Sequence, residues 1–221
     1  MTPPILIFPD AFTIVGWIAL VLLAFGFWRA GEWRRLLEPQ RSNLFLGVSV
    51  ALLGLWQIRT GIRPGLVFHL SGVCAATLMF GPWRGMLAGV IALVGSLLGG
   101  HGAWRNLGLD VLIYTAVPAF CTHGAFRLVE RKLPNHFFIY VMFNGFFIAA
   151  LSMIAIGLAA TALMALSGAY KLDYLLEHYT PFYILLAWSE AFSTGMAVTL
   201  MAVYRPSWLE TFDDNRYIKD K

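Results

Sequence analysis

The chain has 221 residues, 59% of them hydrophobic and only 13% charged, with a mean hydropathy of +0.70 and a formal net charge of +4. A soluble domain carries about a quarter charged residues, so a water-soluble monomer is excluded. The basic residues form no stretch interleaved with aromatics of the kind a nucleic-acid surface needs, so a nucleic-acid partner is excluded as well.

Seven apolar stretches fill most of the chain and read as membrane spans. In order they cover Phe12 to Trp28, Leu44 to Ile58, Leu66 to Phe80, Met86 to Leu98, Leu109 to Phe126, Phe137 to Leu166 and Phe182 to Tyr204. The second and fourth are short for a ~30 Å hydrocarbon core, and the sixth is long enough to require tilt. Met1-Thr2-Pro3-Pro4 offers no positive region ahead of the first apolar run, so a cleaved signal peptide is not expected. With no internal repeat and no polar segment long enough to fold alone, residues 1–221 read as one polytopic, all-α membrane domain.

Loop charge orients that domain. Arg29, Arg34, Arg35, Arg41, Arg84, Arg127, Arg131, Lys132, Arg205, Arg216, Lys219 and Lys221 fall on one side, leaving Arg59, Arg63, Arg105 and Lys171 on the other. The positive-inside rule then puts the N-terminus outside and the C-terminus in the cytoplasm. This bias by itself accounts for the basic pI. Cys74 and Cys121 fall in different spans at different depths, so no disulfide is expected between them.

Polar residues inside or at the ends of spans are the functional candidates. His69 lies about five residues, roughly 7 Å of helix, into the third span. The fourth span carries Gly85-xxx-Gly89 and Gly95-xxx-Gly99, a spacing that lets helices approach closely in lipid; Ser96 within it reads as a packing residue. On the outer side follow His101, flanked by Gly100 and Gly102, then Asn106 and Asp110. Imidazoles and a carboxylate gathered at one membrane face suit a cation or metal site built on His69, His101 and Asp110. A polar anchor for the loops explains the same residues. Glu190 sits near the midplane of the seventh span. It must be protonated, bonded to hydroxyls or a basic group, or lining a wet pathway, with Asn144 and Ser152 as candidate partners. The tail from Tyr204 to Tyr217 mixes aromatics, paired acids and arginine; it reads as an interfacial anchor, with a docking strip for a coupling subunit as the alternative. No Gly-x-x-x-x-Gly-Lys-Ser/Thr loop is present, so ATP hydrolysis is assigned to no part of this chain.

The ordered set His69-Leu70-Ser71-Gly72, Leu78 to Trp83, Gly100-His101-Gly102 with Asn106-Leu107-Gly108, and Glu190 with Thr194-Gly195-Met196 resembles the membrane component of cobalt/nickel energy-coupling-factor transporters, over roughly Arg59 to Tyr204. The resemblance implies a seven-helix substrate-capture subunit of the bacterial plasma membrane, not itself an enzyme and without a tightly bound cofactor. A divalent transition metal would be its substrate, and a transmembrane scaffold (T-type) subunit and cytoplasmic ATPases its partners. It implies that His69 binds metal and that His101, Asn106 and Glu190 occupy motif positions at helix ends and in the supporting shell; Ser71 is a further supporting or pathway candidate. The family's chain typically begins Met-His-Ile-Met, whose terminal amine, amides and imidazole chelate nickel or cobalt. Here Thr2 offers no imidazole and Pro3 no amide hydrogen, so that chelate is not expected and the ion is left open, with Asp10 a further candidate ligand. A stand-alone metal-responsive or assembly protein that keeps the fold without transport is the alternative.

Overall fold

The structure, a computed structural model, describes residues 6–219. Helix α1 (Asp10–Ala30) leads through a 3-10 turn (Glu32–Leu37) to α2 (Pro39–Gln57). A hairpin of β1 (Arg59–Arg63) and β2 (Leu66–His69) precedes the two-turn α3 (Val73–Phe80) and α4 (Pro82–Leu98). A loop and a 3-10 turn (Trp104–Asn106) enter α5 (Leu107–Val111), which runs through a π-helical segment (Leu112–Ala116) into α6 (Val117–Lys132). The short α7 (Phe137–Ile139) likewise continues through a π segment (Tyr140–Phe147) into α8 (Ile148–Leu166), followed by α9 (Leu172–His178) and α10 (Thr180–Tyr204).

Four helical rods are long and apolar enough to cross a membrane: Asp10–Ala30, Trp104–Lys132, Phe137–Leu166 and Leu172–Tyr204; Pro82–Leu98 is apolar but shorter. Their outer surfaces confirm the solvent. On α1, Ile14, Val15, Ile18, Val21, Leu22 and Phe25 are all exposed, and on α10 so are Ile184, Leu185, Trp188 and Phe192. Contiguous apolar surface of this extent is tolerated in lipid and not in water.

The third stretch differs from the sequence expectation. A continuous helix over Leu66 to Phe80 is predicted, yet only Val73–Phe80 is helical. Pro64-Gly65 makes a turn, with Gly65 at φ 76°, and Leu66–His69 pairs back on Arg59–Arg63 in antiparallel register. A second glycine, Gly72 at φ 65°, then redirects the chain into α3. Left-handed backbone at both places is cheap for glycine and breaks a helix.

Close helix crossings depend on missing side chains. A Cβ at Gly108 of α5 would overlap the backbone carbonyl of Gly16 in α1, and one at Gly16 would lie 2.8 Å from the Leu109 nitrogen. On α4, Gly85 abuts Thr77 of α3, Gly89 meets Thr115 and Val73, and Gly95 meets Leu53 of α2. These contacts fulfil the close packing read from the Gly-xxx-Gly spacings. Both cysteines are free.

The C-terminal tail is partly folded into the protein, while Tyr204 and Trp208 stay exposed. Leu209, Phe212 and Tyr217 are buried, with the Phe212 and Tyr217 rings stacked 5.3 Å apart and both against Tyr140. The Glu210 amide donates to the Met79 carbonyl at 3.1 Å, and the Thr211 hydroxyl donates to that of Leu78 at 2.8 Å. These are the carbonyls that the end of α3 leaves without helical partners. The Glu210 carboxylate takes two bonds from Arg84, at 2.9 and 2.6 Å, and also meets Arg41. Arg84, 2% exposed, donates as well to Glu32 at 2.8 Å.

Two stability outcomes follow from this packing. Glu210→Ala leaves a buried guanidinium with a single carboxylate partner, and its expected cost is about 3 kcal/mol, measured as unfolding in detergent micelles. Gly108→Ala is expected to lower the melting temperature by forcing α1 off α5. Gly124→Ala, at a helical position with open space around it, should leave the melting temperature unchanged or raise it by the helix-propensity gain of up to about 1 kcal/mol.

Candidate metal-capture cavity

The hairpin aims His69. Along β2, side chains alternate between faces: Leu66 and Phe68 are buried, while Val67 and His69 face a cavity of about 820 Å³. Phe68 is held by an aromatic nest, with the rings of Tyr179, Phe182 and Tyr183 at 5.1, 5.3 and 5.7 Å. The His69 ring lies against Trp56 at 4.8 Å and Tyr114 at 5.5 Å. Its Nδ1 is 2.9 Å from the Leu70 carbonyl oxygen. A carbonyl only accepts, so Nδ1 carries the hydrogen and Nε2 presents a lone pair. In this tautomer Nε2 is the atom free to bind a metal.

The chain after His69 is clamped on three sides. Trp56 at the end of α2 donates its indole N–H to the Ser71 carbonyl at 2.8 Å. Glu190, fully buried on α10, accepts the Ser71 amide on Oε2 at 2.8 Å and the Gly72 amide on Oε1 at 2.7 Å. The Thr194 hydroxyl adds a third bond at 3.4 Å. The carboxylate thus caps the start of α3, where the helix dipole favours negative charge. Its partners are these two backbone amides and, as expected for a hydroxyl, Thr194, rather than Asn144 or Ser152: Ser152 bonds the Ala149 carbonyl. Glu190 does not line the cavity.

The remaining candidates share the chamber with His69. His101 stands in the Gly99–Ala103 loop beyond α4, its amide bonded to the Ser96 carbonyl at 3.0 Å. Asn106, 5% exposed, donates through Nδ2 to the Leu6 carbonyl at 2.7 Å, and its Oδ1 is buried without a partner among the described residues. Asp110 of α5 lines the same wall beside Tyr114. Asp10 does not; it pairs with Arg105 at the exposed end of the molecule. His69, His101 and Asp110 therefore border one cavity from three separate elements. Among the described residues, though, no group of three His, Cys, Asp or Glu side chains converges closely enough to hold an ion. Residues 1–5, where the family's chelate would lie, are outside the described residues.

Arg59 was missed by the sequence reading, which counted it only as a loop charge. It stands directly opposite His69 in the hairpin register and borders the cavity, and its Nη2 is buried and unpartnered among the described residues. Strand alternation around Pro64-Gly65 is the signal that could have found it.

Helices too apolar for water, folded around a polar chamber, define an integral membrane protein. Comparison with known proteins narrows the class. The family model described as "Cobalt uptake substrate-specific transmembrane region", CbiM, matches residues 3–208; the chain belongs to this family. Among curated relatives, the cobalt transport protein CbiM of Acetohalobium arabaticum is 27% identical over 124 residues, covering 55% of this chain and 49% of that protein. The match thus spans about half the length of that relative. Two solved structures of a transition metal transporter, one truncated, superpose with a TM-score of 0.78 at 18% identity over 89% of this chain, and over 96% and 90% of theirs. At that identity they show the fold.

Removing the Glu190 clamp tests this geometry. Glu190→Ala orphans two buried amides at about 1–3 kcal/mol each and should lower the unfolding midpoint accordingly, with quenching of the Trp56 fluorescence altered as Ser71 shifts. Glu190→Gln, which keeps one acceptor, should fall between Ala and wild type.

Proposed function

We propose that this chain is the substrate-capture membrane subunit of an energy-coupling-factor type importer for a divalent transition metal ion. It is a single domain of seven spans in the bacterial plasma membrane, N-terminus outside and C-terminus in the cytoplasm, with ATP hydrolysis in a separate subunit. The observation that carries this is one cavity walled by His69, His101, Asn106 and Asp110 at the end of α4 remote from Arg84. The 17 residues of α4 separate the two ends by about 25 Å. The arginine-rich turn, Arg84 and the tail gather at the far end, so the positive-inside rule sets the cavity toward the outside. His69 supplies the neutral imidazole. His101 and Asp110 are the further protein ligands, drawn in as the ion enters. Ser71, Glu190 and Asn106 hold the walls. A T-type scaffold and a pair of cytoplasmic ATPases would convert capture into delivery, with the basic, buried-tail end facing them.

Uptake of radioactive cobalt or nickel by cells expressing the chain with its own operon partners tests the proposal. His69→Ala is expected to cut uptake about tenfold or more, in line with the loss of a metal-site imidazole, while a scaffold protein and ATPases co-purify with both forms. Uptake unaffected by the variant, with no such partners recovered, would instead identify a stand-alone membrane protein that kept the fold.

A further inference from the structure

Several arginines at the Arg84 end of the molecule have acidic partners. Arg84 is shared by Glu32 and Glu210, Arg35 and Arg41 reach Glu210, and Arg216 pairs with Glu130. Arg29 and Arg34, on either side of Gly31, differ. Both are exposed, and among the described residues each is held over a ring rather than by a carboxylate. The Arg29 guanidinium lies 5.9 Å from the centre of the Phe25 ring, and that of Arg34 lies 5.4 Å from the centre of Trp33. Trp33 in turn stacks on Trp28 at 5.3 Å, with 14° between the planes. Gly31, at φ 69°, makes the corner that brings them together. The column from Arg34 through Trp33 to Trp28 therefore ends on the chain neighbour of Arg29. A guanidinium lying over a ring keeps its in-plane N–H groups free, and that fork matches the oxygens of a phosphate.

The surface leading to this corner selects the kind of phosphate. Ile18, Val21, Leu22, Phe25 and Trp28 follow one another at helical spacing on α1 and are 55, 65, 64, 58 and 65% exposed. They form one apolar stripe that ends beside Arg29. From Ile18 to Arg29 the helix rises about 16 Å, the depth of one leaflet of a ~30 Å hydrocarbon core. Free phosphate meets the arginines but makes no use of the stripe; a phospholipid uses both. Resting on the inward orientation set by loop charge, we propose that the corner between α1 and the following 3-10 turn is a binding site for an anionic phospholipid of the inner leaflet. Its phosphodiester lies between the Arg29 and Arg34 guanidinium groups, its glycerol region against Trp28 and Trp33, and one acyl chain along the stripe. Basic side chains and tryptophans at headgroup level suit such a ligand.

Native mass spectrometry of the delipidated full chain in detergent tests this. The probes are dioleoylphosphatidylglycerol, which is anionic, and dioleoylphosphatidylcholine, which is zwitterionic. Wild type is expected to bind the first anionic lipid about tenfold or more tighter than the zwitterionic one, and equimolar inorganic phosphate should not displace it. Arg29→Gln/Arg34→Gln should lose the preference while still binding both lipids weakly. Arg131→Gln/Lys132→Gln removes the same charge from exposed positions on the same side and should keep it, which separates a built site from diffuse positive charge. Equal binding of the two lipids by wild type overturns the proposal and leaves the arginines to an acidic protein partner. A preference that survives in Arg29→Gln/Arg34→Gln, or is lost equally in Arg131→Gln/Lys132→Gln, overturns it too. Displacement by inorganic phosphate overturns the lipid and leaves an anion site. The wild-type comparison decides even where a variant fails to fold.

Discussion

A two-turn helix buried in a membrane protein cannot leave its ends unbonded, and α3 is that helix. Seven of its eight residues are buried, so the amides and carbonyls at its ends call for partners within the protein. Both partners come from far along the chain. Glu190, 118 residues after Gly72, takes the amides at the start; Glu210 and Thr211 take the carbonyls at the end. Helices α10 and α4, the hairpin and the tail are thereby tied to one short element. The proposed function hangs on the first of these ties, since His69 lies two residues ahead of the clamped amide.

The two ends of α4 divide the labour. Near Arg84 the molecule is locked by charge: a buried guanidinium between Glu32 and Glu210, further arginines around Glu210, and stacked aromatics beneath the tail. Near His101 the polar groups are left unmet. Arg59 Nη2 and Asn106 Oδ1 lack partners among the described residues, and no group of three His, Cys, Asp or Glu side chains gathers there among them.

Much of this was legible in the residues. Lipid-facing runs declare themselves by hydropathy, and the close helix contacts by glycine spacing. His69, His101, Asn106 and Asp110 could be grouped because polar residues at one end of several spans must share a small space. The hairpin was not legible by the same means: Leu66 to Phe80 is apolar throughout, and hydropathy does not distinguish a strand, a turn and a short helix from one continuous span. Glu190 was recognised as anomalous, but its partners are backbone amides, which have no letter in the sequence. Arg59 became part of the site only once the strand register set it across from His69. Which tail aromatics are buried, Phe212 and Tyr217, and which are exposed, Tyr204 and Trp208, could not be told from composition.

The central claim is that the hairpin and the Glu190 clamp place His69 Nε2 as the metal-binding atom of the cavity. Cobalt anomalous scattering from crystals of the loaded protein tests it most directly. The account predicts one peak inside the cavity, about 2.1 Å from His69 Nε2, lost in His69→Ala. A peak outside the cavity, or one that survives the substitution, would contradict it.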